Sequence, residues 1–239
     1  GKRAQCFGGA KNHMIIMPDA DLDQAADALI GAGYGSAGER CMAISVAVPG
    51  GKDTADALID KLKPRVEELN VGTYTDEKAD FGPVITKEAQ QRVLGLIDKG
   101  VEEGANLVVD GRGFKMQGYE NGFFVGGCLF DNVTKDMDIY TTEIFGPVLS
   151  TIPFEDEADA IRIANDTPYG LTNYVQSTDD SRRMRMAHAL RSGMVEMNGN
   201  YRASGSPFGG VKMSGDAREG GVWGIEEYLE VKSVSGWPT

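Results

Sequence analysis

The sequence predicts an α/β fold built around a mainly parallel β-sheet. Short apolar segments typical of strands alternate with segments of about 10–18 residues whose apolar positions fall on one helical face. Hydrophobic residues make up 41% of the sequence and charged residues 25%, as in an ordinary globular protein. The 239 residues are enough for one good core but few for two full domains.

The N-terminal part predicts a strand, a helix and a second strand. Residues 14–17 form a short apolar run that Pro18 ends. One helical face follows, with apolar residues at Leu22, Ala25, Ala26, Leu29 and Ile30. The glycine-rich residues 31–38 end this helix, and residues 44–48 predict the next strand.

The rest of the chain continues the alternation. Asp53 and Thr86 are placed to cap the next two helices, and Gly104 to end the second. Residues 107–109 predict a strand, and residues 111–128 a loop rich in glycine and aromatic residues. Beyond them, strands and helices are predicted in turn at residues 147–154, 157–165, 171–176, 180–192 and 194–198.

Charge and cysteine usage exclude several classes of function. A net charge of −12 without a basic stripe argues against nucleic-acid binding. No apolar run reaches the ~18–20 residues that a membrane span requires, so a small-molecule substrate is the expected partner. Three widely spaced cysteines do not form a disulfide framework and favour a cytoplasmic location. Two histidines without paired Cys/His spacing predict no metal site.

Residues 33–38 match the dinucleotide-binding pattern G-x-G-x-x-G. That pattern requires a strand before it and a helix after it, so that the pyrophosphate meets a helix N-terminus. Here a predicted helix precedes the glycines and a strand follows them. We therefore interpret residues 33–38 as a flexible helix exit that lets the backbone pack closely around Cys41.

Cys41 is the candidate nucleophile. It follows a glycine-rich segment and lies next to Arg40, whose positive charge favours the reactive thiolate. A cysteine taken at random is more often a buried core residue. That interpretation is kept for Cys6 and Cys128.

Three segments in order resemble motifs of the aldehyde dehydrogenase superfamily. They are G-E-R-C at residues 38–41, E-I-F-G-P-V at residues 143–148, and P-F-G-G-V-K-M-S-G at residues 207–215. The resemblance implies a three-layer α/β/α catalytic domain at residues 19–216. It also implies an exit segment from a cofactor-binding domain at residues 1–18, and a C-terminal return and oligomerisation segment at residues 217–239.

The resemblance also implies a mechanism. Cys41 attacks the aldehyde carbon, its peptide N–H stabilises the oxyanion, and hydride transfer to NAD leaves a thioester on the sulfur. Glu143 would hold the nicotinamide ribose and Phe145 would lie against the nicotinamide. The alternatives are a capping or surface carboxylate for Glu143 and core packing for Phe145. Because the family's cofactor domain precedes the cysteine, we expect this chain to be part of a longer polypeptide and largely inactive alone.

One departure from the family bears on how the thioester is released. Many members carry E-L-G-G-K before the cysteine, and its glutamate activates the hydrolytic water. Here the alignment places either Cys6 or Phe7 at that position, and neither is a carboxylate. Without that base the thioester would last long enough for a thiol, and coenzyme A becomes the expected acceptor.

Two segments around the cysteine resemble the methylmalonate-semialdehyde dehydrogenase branch, which acylates coenzyme A. They are G-G-A-K-N-H at residues 8–13 and S-A-G-E-R-C-M-A at residues 36–43. In that branch the arginine before the cysteine pairs with the substrate carboxylate, and Arg40 occupies its place. A solvated or intramolecular ion pair is the alternative for Arg40.

The C-terminal part favours a different branch. Residues 195–236 resemble the hydrolytic aldehyde dehydrogenases, in which Phe208 would line the substrate tunnel or simply pack in the core. Residues 228–234 alternate polar and apolar side chains and predict a strand. In the family such a strand pairs with a neighbouring subunit, which implies a homodimer or homotetramer. The alternative is an edge strand of the chain's own sheet.

Three other functions stay open at the sequence level. The first keeps the family but releases the free acid to water. The second is a non-catalytic half-domain that only oligomerises, and the third is a cysteine hydrolase. The choice between NAD and NADP is made in the family domain that this chain does not include.

Overall fold

The computed structural model describes residues 1–199 and 205–236. Seven strands form one sheet in the order β3-β4-β5-β2-β1-β6-β7, and only the β3–β4 pair is antiparallel. The predicted, mainly parallel sheet is therefore confirmed. The strands are β1 (Asn12–Ile16), β2 (Ile44–Pro49), β3 (Asn106–Val109), β4 (Cys128–Asp131), β5 (Val148–Thr151), β6 (Thr172–Gln176) and β7 (Met194–Met197).

Seven helices connect and flank the strands. They are α1 (Leu22–Tyr34), α2 (Gly51–Glu67), α3 (Lys87–Glu102), α4 (Asp138–Thr141), α5 (Glu157–Asn165), α6 (Asp180–Ala189) and α7 (Gly221–Glu226). None of the helices in the described ranges is both long and apolar enough to cross a membrane.

Two apolar clusters, one on each face of the sheet, produce the three-layer α/β/α arrangement. Because successive side chains of a strand point to opposite faces, Met14 and Ile16 pack in one cluster and Ile15 in the other. The first cluster contains most of the buried residues of α1 and α2. The second contains those of α5 and α6, together with Val93 and Ile97 of α3.

Two predicted helix boundaries were wrong. Helix α2 begins at Gly51 and is capped by Gly50, so Asp53 lies in its first turn and is not the cap. Gly51 has φ +76° and lets the chain turn from β2 directly into the helix. Helix α6 ends at Ala189, three residues before the predicted Ser192. Leu190 is already extended there, and the side chain of Asn165 accepts a hydrogen bond from the Arg191 amide.

The predicted strand at residues 228–234 does not form within this chain. Residues 230–235 have no regular secondary structure, and the side chains of Val231 and Val234 are 101% and 86% exposed. The segment also does not join the seven-stranded sheet, so the edge-strand alternative is excluded. A strand requires a partner for its backbone hydrogen bonds, and the described part of this chain supplies none here.

Strand β1 and the residue before it carry three buried polar side chains in succession: Lys11, Asn12 and His13. The Lys11 ammonium donates to the carbonyls of Ile139 (2.7 Å) and Thr142 (2.8 Å) at the end of α4. Burial lowers the pKa of Lys11 to about 7, although nearby Glu143 acts in the opposite direction. Burial likewise lowers the pKa of His13 to about 3. These residues join the centre of the sheet to α4.

Gly38 makes the closest approach between the two loops that precede β2 and β5. Its φ is +71°, and a Cβ built on it would lie 2.1 Å from the carbonyl oxygen of Gly146. Two separate requirements therefore exclude a side chain at Gly38. One is the left-handed backbone conformation, and the other is the lack of space.

A pair of substitutions separates these two requirements. Gly51 has nearly the same φ (+76°), but no atom lies within 4 Å of its built Cβ. Gly51→Ala should lower the free energy of unfolding by about 1 kcal/mol, the cost of the backbone conformation. Gly38→Ala should lower it by about 3 kcal/mol, because the clash adds to that cost. Urea denaturation measures both, and equal losses would contradict the close contact.

Lys11→Met should flatten the pH dependence of stability. The pKa of Lys11 is about 7 in the folded state and 10.5 in the reference state, so between these values only the unfolded chain holds the proton. Unfolding therefore becomes harder as the pH rises, by at most about 1.4 kcal/mol per pH unit. The variant lacks this contribution. Urea denaturation at pH 7, 8 and 9 should show curves that diverge, and parallel curves would contradict the lowered pKa.

Candidate active site

The candidate residues meet because each precedes a strand of the parallel part of the sheet. Arg40 and Cys41 lie before β2, and Glu143 and Phe145 before β5. Strands β1, β2 and β5 are parallel neighbours, so their starting points share one edge. A pocket at that edge is lined by Ala10, Asn12, Gly33, Gly38, Arg40, Cys41, Ala43, Ile44, Ser45, Glu143, Ile144, Phe145, Gly146 and Val148.

Cys41 lies in a tight turn and its side chain is exposed. The turn is closed by the Ala43 amide, which donates to the Arg40 carbonyl at 3.0 Å. The peptide N–H groups of Cys41 and Met42 donate to no atom of the described chain. They are therefore available to a substrate oxygen, as the predicted oxyanion role of the Cys41 amide requires.

The other two cysteines differ from Cys41. Cys128 is buried, and burial raises the pKa of its thiol to about 11, so it is poorly suited to act as a nucleophile. Cys6 is exposed, contrary to the expectation of a core cysteine, but it does not line the pocket. Cys41 is thus the pocket's one thiol among the residues that the structure describes.

Arg40 lines the pocket beside Cys41 and is exposed. Its Nε donates to the Ser36 hydroxyl at 3.0 Å, and its guanidinium lies over Gly35, where a built Cβ would be 2.8 Å from Nη1. No carboxylate of the described chain forms a salt bridge with it. The described residues therefore give no support to the alternative that Arg40 forms an intramolecular ion pair.

Glu143 is held at the pocket by residues that immediately precede β1. Its Oε1 accepts a hydrogen bond from the Ala10 amide at 3.0 Å. Burial raises the pKa of the carboxyl group, whereas the Ala10 amide and the Lys11 ammonium act in the opposite direction. Within the described ranges, its second oxygen has no donor partner. This second oxygen can accept a hydrogen bond from a ligand hydroxyl group, such as one of a ribose.

Phe145 has the backbone strain typical of functional positions. Its φ is +52°, a conformation that a bulky residue rarely adopts. The side chain is half-buried and lines the pocket. Pure core packing would not require this conformation, so the geometry favours a ligand-facing role.

Phe208 lies beside the pocket and does not line it. Its ring is 6.3 Å from that of Phe7, and it packs against a small cluster of Ala10, Leu171 and Met194. Ala10 itself lines the pocket, so Phe208 is one residue removed from it. The predicted position in a substrate tunnel remains a prediction.

The motif at residues 207–215 packs directly against residues 8 and 9 through Ser214. The Gly8 amide donates to the Ser214 carbonyl, and the Ser214 hydroxyl donates to the Gly9 carbonyl at 2.7 Å. Both candidates for the family's glutamate position, Cys6 and Phe7, are exposed. The structure therefore brings no carboxylate from this segment to the pocket.

Sequence reasoning missed three buried residues that shape the site. Asn12 Nδ2 donates to the carbonyls of Cys41 and Ala43, both at 2.8 Å. The Tyr174 hydroxyl donates to the Met42 carbonyl at 2.8 Å. Lys11 supports the segment before Glu143, as described above. A buried polar residue at the start of an apolar strand was the available signal for Lys11 and Asn12; nothing in the sequence marked Tyr174.

The chain was compared with known families and proteins. The family described as "Aldehyde dehydrogenase family" matches residues 1–234. A malonate-semialdehyde dehydrogenase of Pseudomonas aeruginosa is 47% identical over 243 residues, which cover 100% of this chain and 49% of that protein. The mouse mitochondrial methylmalonate-semialdehyde/malonate-semialdehyde dehydrogenase [acylating] is 40% identical, with 98% of this chain and 44% of the relative covered.

A solved structure gives the same result for the fold. It is the NAD complex of a candidate methylmalonate-semialdehyde dehydrogenase from Sinorhizobium meliloti, 58% identical, with a TM-score of 0.95. The match covers 100% of this chain and 50% of that one. The chain spans about half the length of the curated relatives it matches. On the strength of the family match, the motifs and the shared fold, the chain belongs to the aldehyde dehydrogenase family.

Proposed function

We propose that this chain is the nucleophile-bearing half of an NAD-dependent aldehyde dehydrogenase that oxidises a short carboxylated semialdehyde and transfers the acyl group to coenzyme A. The observation that carries the proposal is the pocket itself. It places the exposed Cys41 thiol beside Arg40, Glu143 and Phe145 and leaves two peptide N–H groups available.

The residues of the pocket have complementary tasks. The Cys41 thiolate attacks the aldehyde carbon, and the Cys41 amide stabilises the resulting oxyanion. Glu143 would hold the nicotinamide ribose, and Phe145 would lie against the nicotinamide. NAD would supply the hydride acceptor, and the oxidised acyl group would then remain on Cys41 as a thioester.

Arg40 supports a carboxylated substrate. Its guanidinium is fixed over Gly35 by Ser36 and lacks a described carboxylate partner. A guanidinium pairs with a carboxylate through two parallel hydrogen bonds. The printed names of the Pseudomonas and mouse relatives specify malonate semialdehyde, an aldehyde of this class.

Residues 6–9 contain no carboxylate that could activate a hydrolytic water. This supports a thiol as the acceptor of the acyl group. Water requires a base to attack a thioester at a useful rate. The mouse relative carries the word "acylating" in its name, which is consistent with transfer to coenzyme A. Hydrolysis to the free acid is the second candidate, favoured by the P-F-G-G segment at residues 207–210.

We further propose that the protein assembles as a homodimer or homotetramer through residues 228–234. The large apolar side chains of this segment are exposed. Exposed apolar groups in an unpaired segment are typical of an interface. A non-catalytic half-domain that only oligomerises would share this feature, so the reactivity of Cys41 separates the two functions.

Substitution of Cys41 tests the nucleophile and the acceptor together. In the complete encoded polypeptide, supplied with NAD, malonate semialdehyde and coenzyme A, NADH and an acyl-coenzyme A thioester should form together. Cys41→Ser should lower this rate by about 1000-fold or more, because the thioester can no longer form. Cys6→Ser, which removes the other exposed thiol, is the matched control and should retain the rate within about 2-fold.

Two other outcomes of this experiment would support the alternative functions. Steady release of free acid without coenzyme A, detected by mass spectrometry, would support the hydrolytic enzyme. Retention of the full rate in Cys41→Ser would refute the catalytic role of the thiol and leave the non-catalytic half-domain.

Arg40→Gln tests the substrate class. The kcat/KM for malonate semialdehyde should fall by about 100-fold, since a charge-assisted hydrogen-bonded pair contributes about 1.5–3 kcal/mol. The kcat/KM for propanal, which has the same carbon chain without the carboxylate, should change by less than about 3-fold. Equal losses for both aldehydes would show that Arg40 supports the turn and does not bind the carboxylate.

A further inference from the structure

Two buried side chains hold three successive carbonyl groups of the turn that carries Cys41. Asn12 Nδ2 donates to the carbonyls of Cys41 and Ala43, and the Tyr174 hydroxyl donates to the carbonyl of Met42, all at 2.8 Å. We call Asn12 and Tyr174 the carbonyl clamp. The clamp fixes the orientation of the peptide groups on both sides of Cys41 and Met42.

Both residues of the clamp belong to buried strands of the sheet. Asn12 starts β1 and Tyr174 lies in β6, which pairs with β1 in parallel. The two residues are 2% and 0% exposed. Asn12 Oδ1 also accepts a hydrogen bond from the Thr172 amide at 3.3 Å, so all its hydrogen-bonding groups are used. Burial raises the pKa of Tyr174, so its hydroxyl remains a donor across the neutral range.

Peptide geometry converts these carbonyl contacts into the direction of N–H groups. In a planar trans peptide the C=O and the following N–H point in opposite directions. The bond from Asn12 to the Cys41 carbonyl therefore directs the Met42 N–H away from Asn12.

Tyr174 acts one peptide further along. By holding the Met42 carbonyl it orients the Ala43 N–H, which donates to the Arg40 carbonyl at 3.0 Å. That bond in turn orients the Cys41 N–H. Neither the Cys41 nor the Met42 N–H donates to an atom of the described chain.

We propose that Asn12 and Tyr174 are positioning residues that aim these two N–H groups at the oxygen of a carbonyl substrate attacked by Cys41. This inference rests on the proposed function, because it requires Cys41 to be the nucleophile. Donors fixed in advance need no reorganisation when charge develops on the oxygen, which is why preorganisation accelerates such a step. The clamp thus acts on the stabilisation of the oxyanion and not on the thiol itself.

Two reagents separate oxyanion stabilisation from thiol reactivity. With p-nitrophenyl acetate, the Cys41 sulfur bonds to the acetyl carbon through a tetrahedral oxyanion and p-nitrophenolate leaves. With iodoacetamide, the sulfur displaces iodide at a saturated carbon and no oxyanion forms. The rate constants at Cys41 are measured by peptide mass spectrometry on the complete encoded polypeptide, and the exposed Cys6 serves as an internal reference.

Tyr174→Phe is the test variant, because it removes the hydroxyl and keeps the buried ring. Acylation of Cys41 should slow by about 5- to 10-fold, less than the 100-fold or more for loss of an entire oxyanion donor. Alkylation should stay within about 2-fold, because it needs no such donor. Tyr34→Phe is the matched control: the Tyr34 hydroxyl is also buried and donates to a backbone carbonyl, that of Cys128, at 2.9 Å. It should change neither rate.

The outcomes distinguish this inference from the proposed function. If Cys41 of the unmodified chain is acylated no faster than Cys6, the nucleophile assignment and the inference both fail. If Cys41 is acylated faster but Tyr174→Phe leaves that rate unchanged, the inference alone is overturned. It is also overturned if both reactions slow equally, or if Tyr34→Phe reproduces the effect, since the hydroxyl would then support only the fold.

Discussion

The parallel alignment of the central strands determines where every part of the candidate site can lie. Strands β5, β2, β1 and β6 run in the same direction, so the segments that precede them converge at one edge. The candidate nucleophile and the ribose-binding candidate come from the segments before β2 and β5, and the clamp comes from β1 and β6 themselves. Ligands of open parallel sheets more often bind beyond the carboxyl ends of the strands. In this chain the candidate site lies at the amino ends of the strands. Its residues therefore precede strands instead of following them.

Close contact between the entering loops explains why the family motifs contain so many glycines. Gly38 lies against the Gly146 carbonyl, and a Cβ at Gly8 would be 1.9 Å from the Met213 carbonyl. Residues 38–41 thus meet residues 143–148, and residues 207–215 meet residues 8–9, through backbone contacts between segments far apart in sequence. The joint presence of the motifs is therefore more specific than any one of them, because these glycines permit contacts that need both segments.

The alternating pattern predicted the mainly parallel sheet and six of its seven strands within a few residues of their positions. The family motifs, not the alternation, identified four of the pocket-lining residues: Arg40, Cys41, Glu143 and Phe145. It could not find the contact between Tyr174 and Met42, because that bond joins residues 132 positions apart. The strand at residues 228–234 failed for a similar reason. Periodicity predicts which face of a segment is apolar, but a strand also needs a partner, and partners are set by tertiary structure.

In the proposed reaction, hydrolysis of the Cys41 thioester requires a carboxylate close enough to act as a base for water. Glu143 is the only carboxylate among the described pocket-lining residues. Its Oε1 already accepts from Ala10, and ribose binding would occupy the oxygen that remains. With a cofactor bound in the proposed way, water at Cys41 would find no free carboxylate among the described pocket-lining residues. A cysteine-like thiol ionises near pH ~8.5 and water near ~15.7. A thiol acceptor could thus supply its own nucleophile where water could not, and this difference is the chemical reason for proposing coenzyme A as the acceptor.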